Sequence, residues 1–167
     1  MSSRPMGLLL AAAALLAAAT QASQPQTTVE LSPAAAAHMP DYGESEQATL
    51  ESAITTAVSR AMRSVPLAAG LTIHVTLKDV APSRPTRAQL LANPSWDPVH
   101  THFLGGAELA GEVRDASGHV LTTVSHRYFP PTLRLGSPAF DPWADARLAI
   151  DQFAHKVAAA CRALPSR

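Results

Sequence analysis

The residues best suited to chemistry lie between positions 96 and 103, which read Trp-Asp-Pro-Val-His-Thr-His-Phe. In an extended segment, His100 and His102 turn both imidazoles to one side. With the Asp97 carboxylate nearby they form a half-site for Zn or Cu. Closing such a site takes further ligands, for which His74 and His126 are available. The alternative is that these are solvated loop histidines, since seven His in a chain of 167 residues bring a close pair together by chance. No other cofactor is expected. Trp96 and Phe103 frame the same stretch, beside Pro94, Pro98 and Val99. They predict either a flap over the core or a partner-binding surface.

Other reactive types fail on spacing. Ser125 and His126 are adjacent on a strand and so point to opposite faces, which prevents their acting as a nucleophile and base. Glu108 and Glu112 share a strand face, an ordinary solvent-facing pattern. The chain has no Gly-x-Ser-x-Gly elbow, His-Glu-x-x-His, Walker loop or dinucleotide fingerprint, so a non-enzymatic role is expected. Cys161, the single cysteine, sits four residues after Val157 on an apolar helical stripe and is expected in the core. Its alternative role is an intermolecular disulfide that makes a homodimer. Asp151 and His155 stand one helical turn apart, away from the stripe, and read as a pH-sensitive surface pair.

Composition narrows the partners. Thirteen basic and thirteen acidic residues with a pI near 7.1 exclude the basic surface that a nucleic-acid binder needs. One cysteine excludes an internal disulfide framework. The amino terminus differs from the rest: Arg4 precedes an unbroken apolar run over residues 6–19, followed by Thr20, Gln21 and Ala22. This is the pattern of a secretory signal peptide, too short to span a bilayer comfortably. Residues 1–22 are therefore expected to be removed, leaving no stable membrane span. No Cys follows the run to accept a lipid. The exported domain loses Arg4 and becomes marginally acidic, which weighs further against nucleic acid and anionic membranes. The periplasm is the expected location, with secretion as the alternative.

These residues must be positioned by a small set of elements. Residues 23–40 mix Gln, Ser, Thr, Pro and an Ala run, with strand character only at 27–31, and are expected to form a flexible tether. A single domain is expected over 41–167. Asp41 and Glu44 have capping-box spacing, and Leu50, Ile54, Ala57, Val58, Ala61, Met62 and Val65 recur at helical steps until Pro66. Its exposed face is expected to carry Glu46, Glu51, Ser59, Arg60 and Arg63. Leu71 to Lys78 alternates strictly and predicts a strand. A long loop over 81–106 follows, with a helical turn near 87–92. Residues 107–115 and 119–129 then predict an antiparallel hairpin, with Asp115 opening the turn and Gly118 taking a positive φ. An extended piece runs through Leu133 and Leu135 to Asp141. Asp141 and Pro142 start a last helix whose apolar stripe runs from Trp143 through Ile150, Phe153 and Val157 to Cys161 and Leu164. The order predicts an α+β domain: an antiparallel sheet of three to five strands with two amphipathic helices packed on one face.

Gly105, Gly106 and Ala107, the strand from Glu108 to Asp115, Gly118 and the returning strand, then Trp-Ala-Asp-Ala-Arg-Leu from Trp143, carry a resemblance. In this order of elements the chain resembles uncharacterised bacterial envelope proteins, many of them lipoproteins. It is also similar to the amino-terminal domain of TolB and the periplasmic region of CsgG. The resemblance implies an envelope accessory or assembly role with an envelope protein as partner, and no catalytic residues. The expectation is a non-enzymatic exported module that binds a protein partner; the alternative is a periplasmic metal-binding protein that uses Asp97, His100 and His102.

Overall fold

The computed structural model describes residues 25–66, 70–133 and 141–165. The expected signal segment and the extended piece at Leu135 lie outside them. Eight elements follow in order: β1 (Gln26–Leu31), α1 (Pro33–Tyr42), α2 (Glu46–Met62), β2 (Thr72–Ala81), α3 (Arg87–Ala92), β3 (Gly106–Arg114), β4 (Val120–Tyr128) and α4 (Ala144–Arg162). The strands form one four-stranded sheet in the order β1-β2-β3-β4. The α+β class and the helices against the sheet are as expected, but the sheet is mixed. β1 runs parallel to β2, whereas β2–β3 and β3–β4 are antiparallel. Two helices separate β1 from β2, long enough for the crossover that a parallel pair requires.

The tether expectation is overturned over residues 26–40. Thr27, Val29 and Leu31 lie in register with Ile73, Val75 and Leu77, so β1 is an edge strand of the sheet. Ser32 then caps α1: its Oγ accepts from the Ala35 N–H at 3.1 Å, and Pro33 fills the first turn, where its missing N–H costs nothing. Ser32 is itself tied to β2, donating from N to Leu77 O at 2.9 Å and from Oγ to Lys78 O at 2.7 Å. The Ala run therefore makes a helix. Its Pro and Gln neighbours mask that in composition alone. Asp41 falls inside α1, and α2 starts instead at Glu46 with no side-chain cap.

The core is sandwiched between α2, α4 and one sheet face. Ile73, Val75 and Leu77 of β2 and Leu109 and Val113 of β3 meet Leu50, Ile54 and Val58 of α2 and Ile150, Phe153 and Val157 of α4, all buried. Alternation in β2 shifts phase at an irregularity between Leu77 and Asp79. Lys78 and Asp79 are both exposed and Val80 returns to the core, so the strand runs three residues past its strict repeat. The β3–β4 turn forms as expected. Asp115 Oδ1 accepts from the N–H groups of Ser117 and His119 at 2.9 and 3.1 Å, and Gly118 has φ +85°.

The opposite sheet face has no helix against it among the described residues and is polar. Thr28 and Glu30 on β1, His74, Thr76 and Lys78 on β2, Glu108 and Glu112 on β3, and Thr123, Ser125 and Arg127 on β4 share it. Cys161 is 4% exposed within the core, as its stripe position predicts. Burial pushes its thiol pKa up.

Candidate functional site

The long connection between β2 and β3 is built on a buried strap, residues 82–86, Pro-Ser-Arg-Pro-Thr. Two prolines prevent it from adding to the sheet, so its polar groups turn to other segments, although the buried Arg84 Nε finds no partner. Ser83 N donates to Pro142 O at 2.7 Å, and Phe103 N donates to Ser83 O at 3.0 Å. Arg84 Nη1 donates to Val99 O at 2.6 Å, and Thr86 Oγ1 donates to Tyr42 O at 2.7 Å. The strap thus ties together the end of α1, the entry to α4 and the returning loop. Gly105 passes so close that an added Cβ would sit 2.6 Å from Ser83 N, so only glycine fits.

Thr86 also caps α3. Its hydroxyl accepts from Gln89 N while Gln89 Oε1 accepts from Thr86 N, a reciprocal capping box. The Thr-x-x-Gln spacing was the available sequence signal. From α3 the chain turns at Asn93, and the Trp96–Phe103 stretch folds on itself. Asp97 Oδ1 accepts from Val99 N at 2.7 Å and His100 N at 2.9 Å, and Asp97 Oδ2 lies 3.1 Å from His100 Nδ1. These hydrogen bonds, the one with the His100 side chain foremost, hold the Asp97 carboxyl down to about 2. Trp96 and Phe103 meet edge-to-face with ring centroids 5.2 Å apart. Val99 and Leu104 remain exposed beside them, at 42% and 49%.

Of the three expected metal residues, Asp97 meets His100, and His102 is not grouped with them. Among the described residues no group of three or more His, Cys, Asp or Glu is placed to hold an ion. The expectation assumed an extended His-x-His, but residues 98–100 form a turn, and Asp97 is spent on shaping it. The additional ligands are also out of reach of one another. His74 lies on the polar sheet face with Nδ1 2.9 Å from Thr28 Oγ1. His126 lies on the helix-covered face, with Nε2 2.8 Å from Gln152 Oε1. Ser125 and His126 take opposite faces, as adjacent strand residues must. Glu108 pairs with Arg127 across the strands at 3.1 Å, and Glu112 with Arg114 at 2.5 Å.

The sequence reading missed the junction beneath the strap. Trp143, 1% exposed, donates from Nε1 to Glu46 Oε2 at 2.6 Å and meets the Tyr42 ring edge-on at 5.4 Å. Glu46 was expected on the exposed face of its helix; the buried indole N–H instead claims it. Burial, with Asp79 and Asp41 nearby, pushes the Tyr42 pKa up, and its hydroxyl donates to Val80 O at 3.3 Å. Asp141 and Pro142 do not start the last helix as expected: α4 begins at Ala144 with Trp143 at its N-cap and no side-chain cap, and Asp141 stands in the turn before it, accepting from Trp143 N at 2.9 Å and pairing with Arg147 at 3.0 Å.

A shallow groove of about 700 Å³ lies elsewhere, between α2 and α4, walled by Ala48, Thr49, Ser52, Thr56 and Ile150. Its charges are internally matched: Arg60 pairs with Asp151 at 2.6 Å and Arg147 with Asp141. Asp151 therefore turns to α2 rather than to His155. No protein-family model matches the chain, and no curated protein or solved structure is significantly similar to it. The geometry defines a two-layer α+β domain whose irregular segments gather at one end of the sheet.

Proposed function

We propose that the chain is a non-enzymatic exported module that recognises an envelope protein through the connections at the end of the sheet where β2 and β4 finish. One observation carries this reading. The large hydrophobic residues exposed among the described residues, Leu91, Val99, Leu104 and Leu133, all belong to the connections leaving that end. Exposed apolar side chains on loops fixed to a rigid scaffold are a common basis of partner recognition. Here the strap supplies the fixing, through hydrogen bonds to α1, α4 and the loop itself. Trp96 and Phe103 act as the folded support on which Val99 and Leu104 are presented. Export to the periplasm is supported by Arg4, the apolar run over 6–19 and the small residues that follow it.

The test uses a photo-crosslinking residue in place of Val99 or Leu104 in the full chain, expressed in cells and read by mass spectrometry. A discrete envelope protein captured at these positions, absent when the probe replaces Ser59 on α2, supports the reading. Loss of that capture in Leu91→Asp/Leu104→Asp, with an unchanged circular dichroism spectrum, assigns it to the apolar cluster. Failure to recover any envelope protein above background rejects it.

A further inference from the structure

We propose that β4 pairs antiparallel with β4 of a second copy of this chain, joining two sheets into one across a twofold axis. β4 is the outermost strand, nine residues long, and β3 is its only strand partner among the described residues. Such an edge is a row of unused hydrogen-bonding groups, which proteins ordinarily blunt with proline, lysine, a bulge or an inward-pointing charge. From Thr122 to Tyr128 β4 has no proline, lysine or bulge; its one irregularity is at the start of the strand, where Leu121 is the extra residue opposite Val113 and Arg114. Val-Leu-Thr-Thr-Val-Ser-His-Arg-Tyr contains neither Pro nor Lys, and its register with β3 is regular from Thr122 to Tyr128. Its one permanent charge is withdrawn from the edge: Arg127 Nε lies 3.1 Å from Glu108 Oε2, and its guanidinium sits 4.6 Å over the Phe129 ring. The other edge, β1, is shorter at six residues and carries Glu30.

The side chains of β4 fit a second β4. Directly opposed residues of antiparallel strands share a face. A register centred on Val124 places Val124 against its copy on the helix-covered side and Thr123 against Ser125 on the open side. Thr122 then meets His126, and Arg127 lies beyond the regular register, beside the irregular start of the partner strand at Leu121, so no like charges face each other. Val124 and Tyr128 are only partly buried against the core, and the second copy adds to their cover. The contact is isologous and closes at two copies, so the free edge is consumed without growth into a fibre. It uses a surface separate from the loops discussed above and stands or falls independently of them.

Sedimentation velocity of the purified chain from low to high micromolar concentration is expected to show a dimer. The double variant Thr123→Lys/Ser125→Lys, at two exposed positions, is expected to sediment as a monomer with an unchanged circular dichroism spectrum. In an equal mixture of Thr123→Cys and Ser125→Cys chains, mild oxidation is expected to give a covalent dimer that the parent chain, with only Cys161, does not give. A parent chain that remains monomeric throughout overturns the proposal, as does a double-lysine variant that dimerises like the parent.

Discussion

At the scale of single residues, the side chains that matter most are polar groups tied up in structure. Trp143 is buried beside Tyr42 and gives its indole proton to Glu46. Trp143→Phe keeps most of the apolar volume but strands the carboxylate, and is expected to cost about 1–3 kcal/mol in urea unfolding. Gly105→Ala forces a Cβ against the Ser83 backbone at 2.6 Å, which neither segment can avoid by rotating a side chain. A loss of about 1–3 kcal/mol is expected, with the amide signals of Ser83 and Phe103 most shifted. Asp97 gives a pH prediction. Its carboxyl is held at about 2 against an ordinary 3.8, so the ordering it gives the loop is present above about pH 4. That ordering is lost as pH falls from there toward 2. His100→Ala removes the largest cause, and the Asp97 midpoint followed by carbon NMR is expected to rise toward its ordinary value. The backbone N–H groups of Val99 and residue 100 hold back part of that rise.

At the scale of elements, β1 and α1 are structural although their composition reads as linker. Residues 26–31 are in register with 72–77, and Ser32 and Met39 dock α1 on the end of β2 and the core. Truncation to residue 41, harmless for a tether, is expected to abolish the dispersed amide spectrum, whereas truncation to residue 25 is expected to preserve it. Helix α3 depends on Thr86, fully buried, whose hydroxyl caps Gln89 and also donates to Tyr42 O. Thr86→Ala is expected to cost about 1–2 kcal/mol, near the upper range for a cap. By contrast Arg60 and Asp151 bridge α2 and α4 in the open. Asp151→Asn is expected to change stability by less than about 1 kcal/mol, because solvent already screens the pair.

At the scale of the whole molecule, one core shared by α2, α4 and all four strands makes the domain a single cooperative unit. Much of this was legible in the sequence because repeat period and burial coincide. The stripe from Trp143 to Cys161, the alternation of Leu71 to Lys78 and the Asp115–Gly118 turn each state in one dimension which side faces the core. The mixed sheet, the strap and the Trp143–Glu46 bond were not legible, since each joins residues distant in sequence and no local pattern records that. The candidate metal residues illustrate the difference. Spacing alone suggested Asp97, His100 and His102 as a group, but the turn at 98–100 engages the carboxylate with the His100 ring and with the N–H groups of Val99 and His100. By itself, then, the sequence determined the fold class, the hairpin and the core stripes, because periodic apolar positions demand burial wherever the chain goes. Only the tertiary structure decided the parallel place of β1, the satisfied roles of Asp97 and Glu46 and the edge position of β4, because these depend on which distant groups come within hydrogen-bonding reach.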